Sequence, residues 1–410
     1  MKKIAILVDL ELNEVAGGHV KFWERVCHSL GKNYKEFNLS VFFLGENFTK
    51  KRVGKNIIFY TLKPIISSGI LKPLGVDADK TDLCPINLRL FLMLREFDII
   101  HSTDQLFCMA KTAIYASNFW RIPLTTSLHT DTPSYTEYYV KNIFKRSTKL
   151  FYKIFIKKLK LHKVLSNKQK KKQISYIKSC AYAMIDHGIQ IRKMDFTKDI
   201  MLKICKISRG VDSSIFKQKK INRKELLERY KLPKNKKIIF FCGRVHELKG
   251  AVFLSKIHKL LIEKNIEVIS VFAGEDIHGE KCLSIGGENI KLLGHLNENE
   301  ISDLYNLCDL FVFPSRYETG PQVVLEAKAC GAVSVVSPEG GGKRIKKNGI
   351  DGVVIKEFNV TKWTEVIISL LNNKKKINFM KKQIILKFTP PSWNKIFYSN
   401  FSNKWRQLSR

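Results

Sequence analysis

The sequence predicts an α/β protein made of two doubly wound domains in tandem, and three observations predict it. Apolar runs of strand length alternate with stretches of helix length through both halves of the chain. At 410 residues the chain is longer than one hydrophobic core usually organises. A charged, turn-poor segment, KQKKINRKELLERYKLPKNK, leads into a further strand series, and the divide falls near Gly210 to Lys220.

Each element follows in order. IAILVDL reads as a buried first strand, followed by the loop ELNEVAGGH and the amphipathic helix VKFWERVCHSL. LSVFFLG, NIIFYTL, FDIIHS and IPLTTSLHT continue the strand series, with crossovers that imply a parallel sheet. A basic, aromatic region follows Tyr139, then CAYAMID and KICKISRGVDSSIF. In the second half the strand-like runs are KKIIFFCGR, IEVISVFAG, IKLLGHL, DLFVFPS and AVSVVSP, and helices such as GAVFLSKIHKLLIEK and NENEISDLYNL lie among them. The predicted boundaries are 1–212, 213–388 and a terminal helix over 389–410. No repeat of 20–50 residues is visible.

Composition narrows the class. The hydrophobic fraction is 44% and the charged fraction 27%, both ordinary for a folded domain. No apolar run reaches the length that spans a bilayer. MKKIAILVDLELNE imitates a leader for seven residues until Asp9, Glu11 and Glu14 interrupt it, so a strand is the better reading. Nine scattered cysteines without a C-x-x-C pair are expected to be reduced thiols in a cytoplasmic protein. The charge is +35, from 72 Lys+Arg against 37 Asp+Glu, a field that favours polyanions but is equally produced by compositional drift toward surface lysine.

The chemistry concentrates in SRYETGPQVVLEAKACG. Pro321 suits a first helical position and Gly331 the residue beyond the last turn, so a helix is predicted over about 321–330. Glu318 lies just before it and Glu326 about a turn and a half inside. A helix mouth at a strand end is a ready anion site, here with N–H groups from Gln322 onward. A diphosphate bound there would carry a hydroxyl-rich group on each side, and two flanking carboxylates match that shape. The cations such a site needs appear in FFCGRVHELKG as Arg244 and Lys249. Singly, each of these cations is more simply a solvated loop residue, and Glu326 a carboxylate paired along its helix. Together, in order on successive strand ends, they read as one site.

These segments resemble a known family. GRVHELKG, ETGPQVVLE with its two glutamates, and PEGGGKRIKKNGIDGVVI are similar to the signature of retaining GT-B glycosyltransferases of family 4 (group 1). The Gly17-Gly18 loop, SLHTDTPSYTEYY, ISRGVDSSIF and the terminal PPSWNKIFYSNF agree, so the resemblance spans nearly the whole chain. SLHTDTPSY with ETGPQVVLEA is closest to the branch that glycosylates lipids, including mannosyl- and sulfoquinovosyl-transferases. The resemblance implies two Rossmann-like domains facing a cleft, with a C-terminal helix crossing back to the first. It implies a nucleotide-diphosphate sugar, with GDP-mannose or a UDP-sugar as donor, and no metal or other cofactor. By it Glu318 contacts the transferred sugar, Glu326 the ribose, and Arg244 and Lys249 the diphosphate. His129 reaches the donor sugar. Gly320, Pro321, Gln322 and Val323 form the donor-binding helix mouth. Gly17 and Gly18 let the backbone approach the donor phosphate or acceptor, and Gly341 and Gly342 shape the loop beneath the nucleotide. The sequence departs from the family at Gly320, often a bulky residue, at Lys328, often Met or Leu, and in EVAGGHVKF, where no basic residue follows the glycines.

Other signals weigh less. Asp77-Ala78-Asp79 has a metal-site spacing but sits in a turn-rich loop with no β-run before it, and reads as solvated. His101 reads as a satisfied core histidine, and Phe22 and Trp23 as core. Tyr135, Tyr138 and Tyr139 could stack on an acceptor or simply pack. Region 141–173 holds thirteen Lys or Arg with Phe144, Phe151, Phe155 and Leu159 recurring near one helical face, which predicts an interfacial helix on an anionic membrane. The expected function is therefore transfer of a sugar to a lipid-linked or glycan acceptor in cell-envelope glycolipid or lipopolysaccharide synthesis, peripheral at the inner face of a bacterial membrane. The alternatives are a basic nucleic-acid-binding protein, against which the absence of any recognition motif counts, and a nucleotide-sugar epimerase of the same fold.

Overall fold

A computed structural model describes residues 1–31, 34–186 and 194–408. The chain divides into two units, Met1–Arg209 with Trp393–Arg410, and Gly210–Ser392. Each is a Rossmann-like α/β unit.

Among its described residues the first unit holds eight strands: β1 (Lys3–Glu11), β2 (Asn38–Leu44), β3 (Thr49–Gly54), β4 (Ile57–Leu62), β5 (Ile99–Ser102), β6 (Leu124–Ser127), β7 (Tyr182–Ile185) and β8 (Ile204–Lys206). Their order is β3-β4-β2-β1-β5-β6-β7-β8. β1 pairs in parallel with β2 and β5, near the middle of the sheet. Its side chains divide by the two-residue period of a strand. Ile4, Ile6 and Val8 pack with Val20, Trp23 and Phe401 on one face, and Ala5 and Leu7 with Leu90, Met109 and Ala113 on the other. Both faces are covered, which is why the strand reads as an unbroken apolar run.

The expectation of a purely parallel sheet needs correction at the edge. β3 runs antiparallel to β4. Its sequence, TKKRVG, is mostly exposed, so it lacks the apolar signal of a buried strand, and its lysines suit an unprotected edge.

The expected single helix over 141–173 is also corrected. The chain forms a helix at Thr132–Lys145, a short turn at Lys149–Phe151, a π-helical turn at Tyr152–Lys158 and a new helix at Leu161–Ser179. Thr148 starts the second piece by accepting a hydrogen bond from the Phe151 amide, and Lys160, at φ 50°, ends the third. A 3.6-residue periodicity therefore does not run through the segment. Phe144 and Phe151 nevertheless both stack on Phe155, with ring centroids 5.0 and 5.9 Å away.

From Trp393 three consecutive helical pieces, ending at Arg406, lie on the first unit. They place Trp393, Phe397, Phe401 and Trp405 in the same core as Phe22 and Trp23.

The second unit is a six-stranded, all-parallel sheet in the order β11-β10-β9-β12-β13-β14. The strands are β9 (Lys237–Cys242), β10 (Val268–Ala273), β11 (Ile290–Leu292), β12 (Leu310–Phe313), β13 (Ser334–Val336) and β14 (Val353–Val354). The helix Glu298–Leu307 opens with a capping box, Asn297 and Glu300 each bonding the other's backbone, as NENE foreshadows. No helix among the described residues is long and apolar enough to cross a membrane.

Candidate active site

β9 and β12 are neighbours, and the chain leaves them toward opposite edges, with β10 outside β9 and β13 outside β12. The carboxyl ends of β9 and β12 therefore form a topological switch point, where ligands enter open α/β sheets. Arg244, Lys249 and Glu318 stand on the loops that leave this point, Glu326 in the helix after β12, and Gly341 and Gly342 on the loop after β13.

The loop after β9 carries Arg244 and Lys249 and enters the helix Ala251–Glu263 through Gly250. Gly250 has φ 88°, and a Cβ there would lie 2.5 Å from the Pro314 carbonyl oxygen, so only glycine lets the two loops approach. Lys249 Nζ reaches Glu318 Oε1 at 2.7 Å, an ion pair that joins residues 69 positions apart. The Ser315 hydroxyl also donates to Glu318 Oε1, at 3.2 Å. Arg244 Nε lies 2.8 Å from Glu275 Oε2, on the loop after β10. Each of the two cations is thus paired with a carboxylate. Beside them, burial pulls the His246 imidazole down to about 3, helped by His278, whose tilted ring lies 4.5 Å away.

The helix after β12 runs from Gln322 to Ala329. Pro321, expected as its first residue, is instead the cap, in extended conformation at ψ 123°. Gly320 and Pro321 are buried, and Val323 is half-buried. Gln322 donates its side-chain amide to the Gly210 carbonyl and so ties the helix start to the beginning of the unit. Glu326 is 4% exposed, inside this short helix. Gly341 has φ 130°, and a Cβ there would come within 2.6 Å of Val324, so the glycine loop lies directly against the helix mouth. Ser337 connects the layers by donating to the Ser315 carbonyl and accepting from the Gly340 amide, and the Gly342 amide bonds the Ser337 carbonyl at 3.0 Å.

Lys328 explains its departure from an apolar residue. Its ammonium donates to Asp351 Oδ2 and to the Arg344 carbonyl, both at 2.7 Å, pinning the segment that follows the glycine loop. Burial pushes the Asp351 carboxyl up, but the bonds from Lys328 and from the Lys347 and Lys346 amides outweigh it and leave it below its ordinary value.

In the first unit the structure brings Gly17, Gly18 and His129 together. Gly18 opens the helix Gly18–Leu30, and no described atom would lie within 4 Å of a Cβ there. His19, next in sequence, stacks on His129 with ring centroids 4.5 Å apart and planes 9° apart. Phe22 packs edge-on to His129 at 4.8 Å. Burial holds His19 at about 3, with Arg209 adding to the effect. Burial also pulls His129 well below its ordinary value, and His19, Arg209 and His101 push the same way. All three imidazoles, His101 included, are neutral at pH 7. His101 is fully buried with both nitrogens bonded, the satisfied core histidine its pattern implies. Asp77 and Asp79 lie in an irregular loop.

Sequence reasoning missed Glu275, Ser315, Ser337 and Asp351, and gave His19 no role. Glu275 had a signal, since it follows a strand end just as Arg244 does. The GGH tripeptide could have singled out His19. Asp351 had none, because its partner Lys328 is 23 positions away and looks like any helix lysine.

Residues 222–386 match the family model described as glycosyl transferases group 1, a span that contains Arg244, Lys249, Glu318, Glu326, Gly341 and Gly342. The chain is 26% identical over 186 residues to D-inositol 3-phosphate glycosyltransferase 1 of Catenulispora acidiphila, covering 42% of this chain and 44% of that one. It is 30% identical over 190 residues to the Escherichia coli UDP-Gal:alpha-D-GlcNAc-diphosphoundecaprenol alpha-1,3-galactosyltransferase, covering 44% and 48%. Both alignments span less than half of the relative's own length. The Anabaena protein HepE, solved with UDP and glucose, shares the fold over 100% of both chains, with a TM-score of 0.67 at 16% identity.

Proposed function

We propose that the protein is a retaining glycosyltransferase. It moves a sugar from a nucleotide-diphosphate sugar to a lipid-linked or glycan acceptor in cell-envelope glycoconjugate synthesis. The observation that carries this reading is the Lys249–Glu318 pair at the mouth of the helix Gln322–Ala329, with Arg244 on the same loop as Lys249 and Glu326 buried in the helix. The group 1 match over the same residues supports it, as do the names of the relatives.

The chemistry follows from the charges. Lys249 and Arg244 exchange their carboxylate partners for the diphosphate and stabilise the charge that develops as it leaves. Glu318, released by Lys249, accepts hydrogen bonds from the transferred sugar. Glu326 accepts from the ribose hydroxyls. With no nucleophile assigned opposite the donor carbon, transfer runs on the front face within an ion pair, and a phosphate oxygen takes the acceptor's proton. His129 bonds the transferred sugar. No metal takes part in this scheme.

The test is a thermal-shift panel of GDP- and UDP-sugars, followed by transfer assays with a polyprenyl-linked or glycolipid acceptor, with and without EDTA. A donor that raises the melting temperature, and transfer with retained anomeric configuration that survives EDTA, are the expected outcomes. Release of epimer or free sugar without acceptor would favour the epimerase reading.

The acceptor class bears on location. Leu150, Phe151 and Leu159 are 65, 50 and 55% exposed among the lysines of 149–160. Apolar side chains with a polybasic flank suit peripheral binding to the anionic, cytoplasmic face of a membrane. Salt-sensitive co-sedimentation with phosphatidylglycerol vesicles and not with neutral ones is expected. Equal or absent binding to both would point to a water-soluble acceptor.

A further inference from the structure

We propose that a cavity beside His129, within the first unit, is a subsite for one sugar ring of the acceptor, with Gln173 and Lys170 selecting its hydroxyls. This deepens the reading above and rests on it only for the ring's belonging to an acceptor.

The cavity has a volume of about 170 Å³ and lies at the carboxyl end of β6. Leu128 and Thr130, on either side of His129 in the chain, form part of its wall. The first turn of the helix Thr132–Lys145 supplies Pro133 and Ser134, and the helix Leu161–Ser179 supplies Ser166, Lys170 and Gln173. The last three recur at spacings of four and three, so one face of that helix borders the cavity. A cavity of about 150 Å³ holds one benzene ring. By volume, then, the space beside His129 takes a single six-membered ring.

The polar groups decide which kind of ring. Gln173 is 3% exposed, and a backbone carbonyl fixes the direction of its amide. The Ser127 carbonyl can only accept, so the nitrogen of the Gln105 amide faces it, at 3.0 Å. Gln105 Oε1 therefore turns the other way and accepts from Gln173 Nε2 at 3.3 Å. Gln105 is outside the cavity wall, which leaves the oxygen of Gln173 as its polar end toward the cavity. Among the described residues nothing donates to that oxygen. A buried carbonyl oxygen is ordinarily paired, and a hydroxyl in the cavity supplies the partner.

Lys170 brings the complementary donor. Its ammonium meets Asp195 Oδ2 at 3.4 Å, but that carboxylate is 95% exposed, so the pair is screened by water and weak. The Ser134 hydroxyl donates to Asp131 Oδ2 at 2.7 Å, which sets a carboxylate in the same wall. An acceptor, a donor and a carboxylate together suit hydroxyls, each of which gives one hydrogen bond and takes others. They suit a phosphate poorly, because its oxygens chiefly accept and Asp131 repels its charge. Leu128, Pro133 and Met194 give the cavity an apolar side for the C–H face of a pyranose.

The experiment is a saturation-transfer NMR titration of the full chain with the methyl glycosides of glucose, galactose, mannose and N-acetylglucosamine. At least one is expected to bind. Lys170→Met and Gln173→Leu should each weaken that binding by about three- to tenfold, the worth of one hydrogen bond. Ser166→Trp, which fills the cavity from the helix face, should abolish it. Melting temperatures are compared first. Should the buried Gln173→Leu fail to fold, Lys170→Met, whose side chain is 28% exposed, and Ser166→Trp still decide. The proposal is overturned if no glycoside binds, if inorganic phosphate at equal concentration displaces the glycoside, or if binding is unchanged in Ser166→Trp. Unchanged binding in every folded variant of Lys170 and Gln173 overturns it too. Two further results separate it from the reading above. Glycoside binding that Ser166→Trp abolishes, in a protein that transfers no sugar, keeps the sugar subsite and removes the transferase. Sugar transfer with an unchanged acceptor KM in Ser166→Trp keeps the transferase and removes the subsite.

Discussion

The two units place candidate ligand-binding groups on related scaffolds by opposite electrostatic means. The second unit sets full charges at its sheet edge and stores them as pairs, Lys249 with Glu318 and Arg244 with Glu275. The first sets neutral rings, His19 on His129, above a buried hydroxyl and imidazole chain. Stored charges suit a diphosphate, whose arrival exchanges one anion for another without exposing a bare cation. Neutral rings among hydroxyls suit a hydroxyl-rich group.

The contrast breaks first at the paired cations. Lys249→Ala and Arg244→Ala should each raise the transfer barrier by about 2 to 4 kcal/mol, measured as loss of kcat/KM. A wild-type value in either removes that residue from the chemistry. Next comes the buried pair behind the glycine loop. Lys328→Met leaves Asp351 with only the two backbone amides, and should lower stability by about 3 kcal/mol in denaturant titration. A neutral result would mean that Met packs well enough to offset the lost pair.

The two glutamates sharpen the division of labour within the charged site. Glu326→Ala should weaken nucleotide-sugar binding by about 1.5 to 3 kcal/mol, the scale of hydrogen bonds to a charged group. Glu318→Ala should reduce turnover with a smaller effect on nucleotide affinity. Calorimetric Kd values set beside kcat for both variants read the difference directly, and equal effects on both constants would erase it.

The contrast extends to acid. Burial lowers His19, His101, His129 and His162 in the first unit, against His246 and His258 in the second, among the described residues. For each, the unfolded chain binds a proton below its ordinary value of 6.5, while the folded chain resists until its lowered value, about 3 for His19, His101 and His246. Stability is therefore fully present above 6.5 and lost as pH falls toward the folded values, by at most about 1.4 kcal/mol per pH unit for each group. The first unit should open first. Limited proteolysis at pH 7 and pH 5, with cleavage sites mapped, should show new cuts before residue 210. New cuts confined to 210–392 would contradict this.

The sequence by itself determined what repeats or clusters locally. Apolar runs marked most of the buried parallel strands, because a strand covered on both faces is mostly apolar and any polar residue on it, such as His101, must be hydrogen-bonded inside the fold. Charged residues around strand ends and a helix mouth marked Arg244, Lys249, Glu318 and Glu326, and the resemblance to a known family marked Gly341. What only tertiary structure decided is every pairing across the fold. TKKRVG becomes a strand because β4 lies beside it, and residues 146–160 break into turns because local hydrogen bonds at Thr148 and Lys160 outweigh a helical pattern. Lys249 finds Glu318, Arg244 finds Glu275, Lys328 finds Asp351, and Trp405 reaches Thr125, 280 positions away. The physical reason is range. Burial and backbone preference act on neighbours and so leave a periodic trace, whereas a hydrogen bond or ion pair depends on a few ångströms between residues that the chain brings together only when the sheet order is complete.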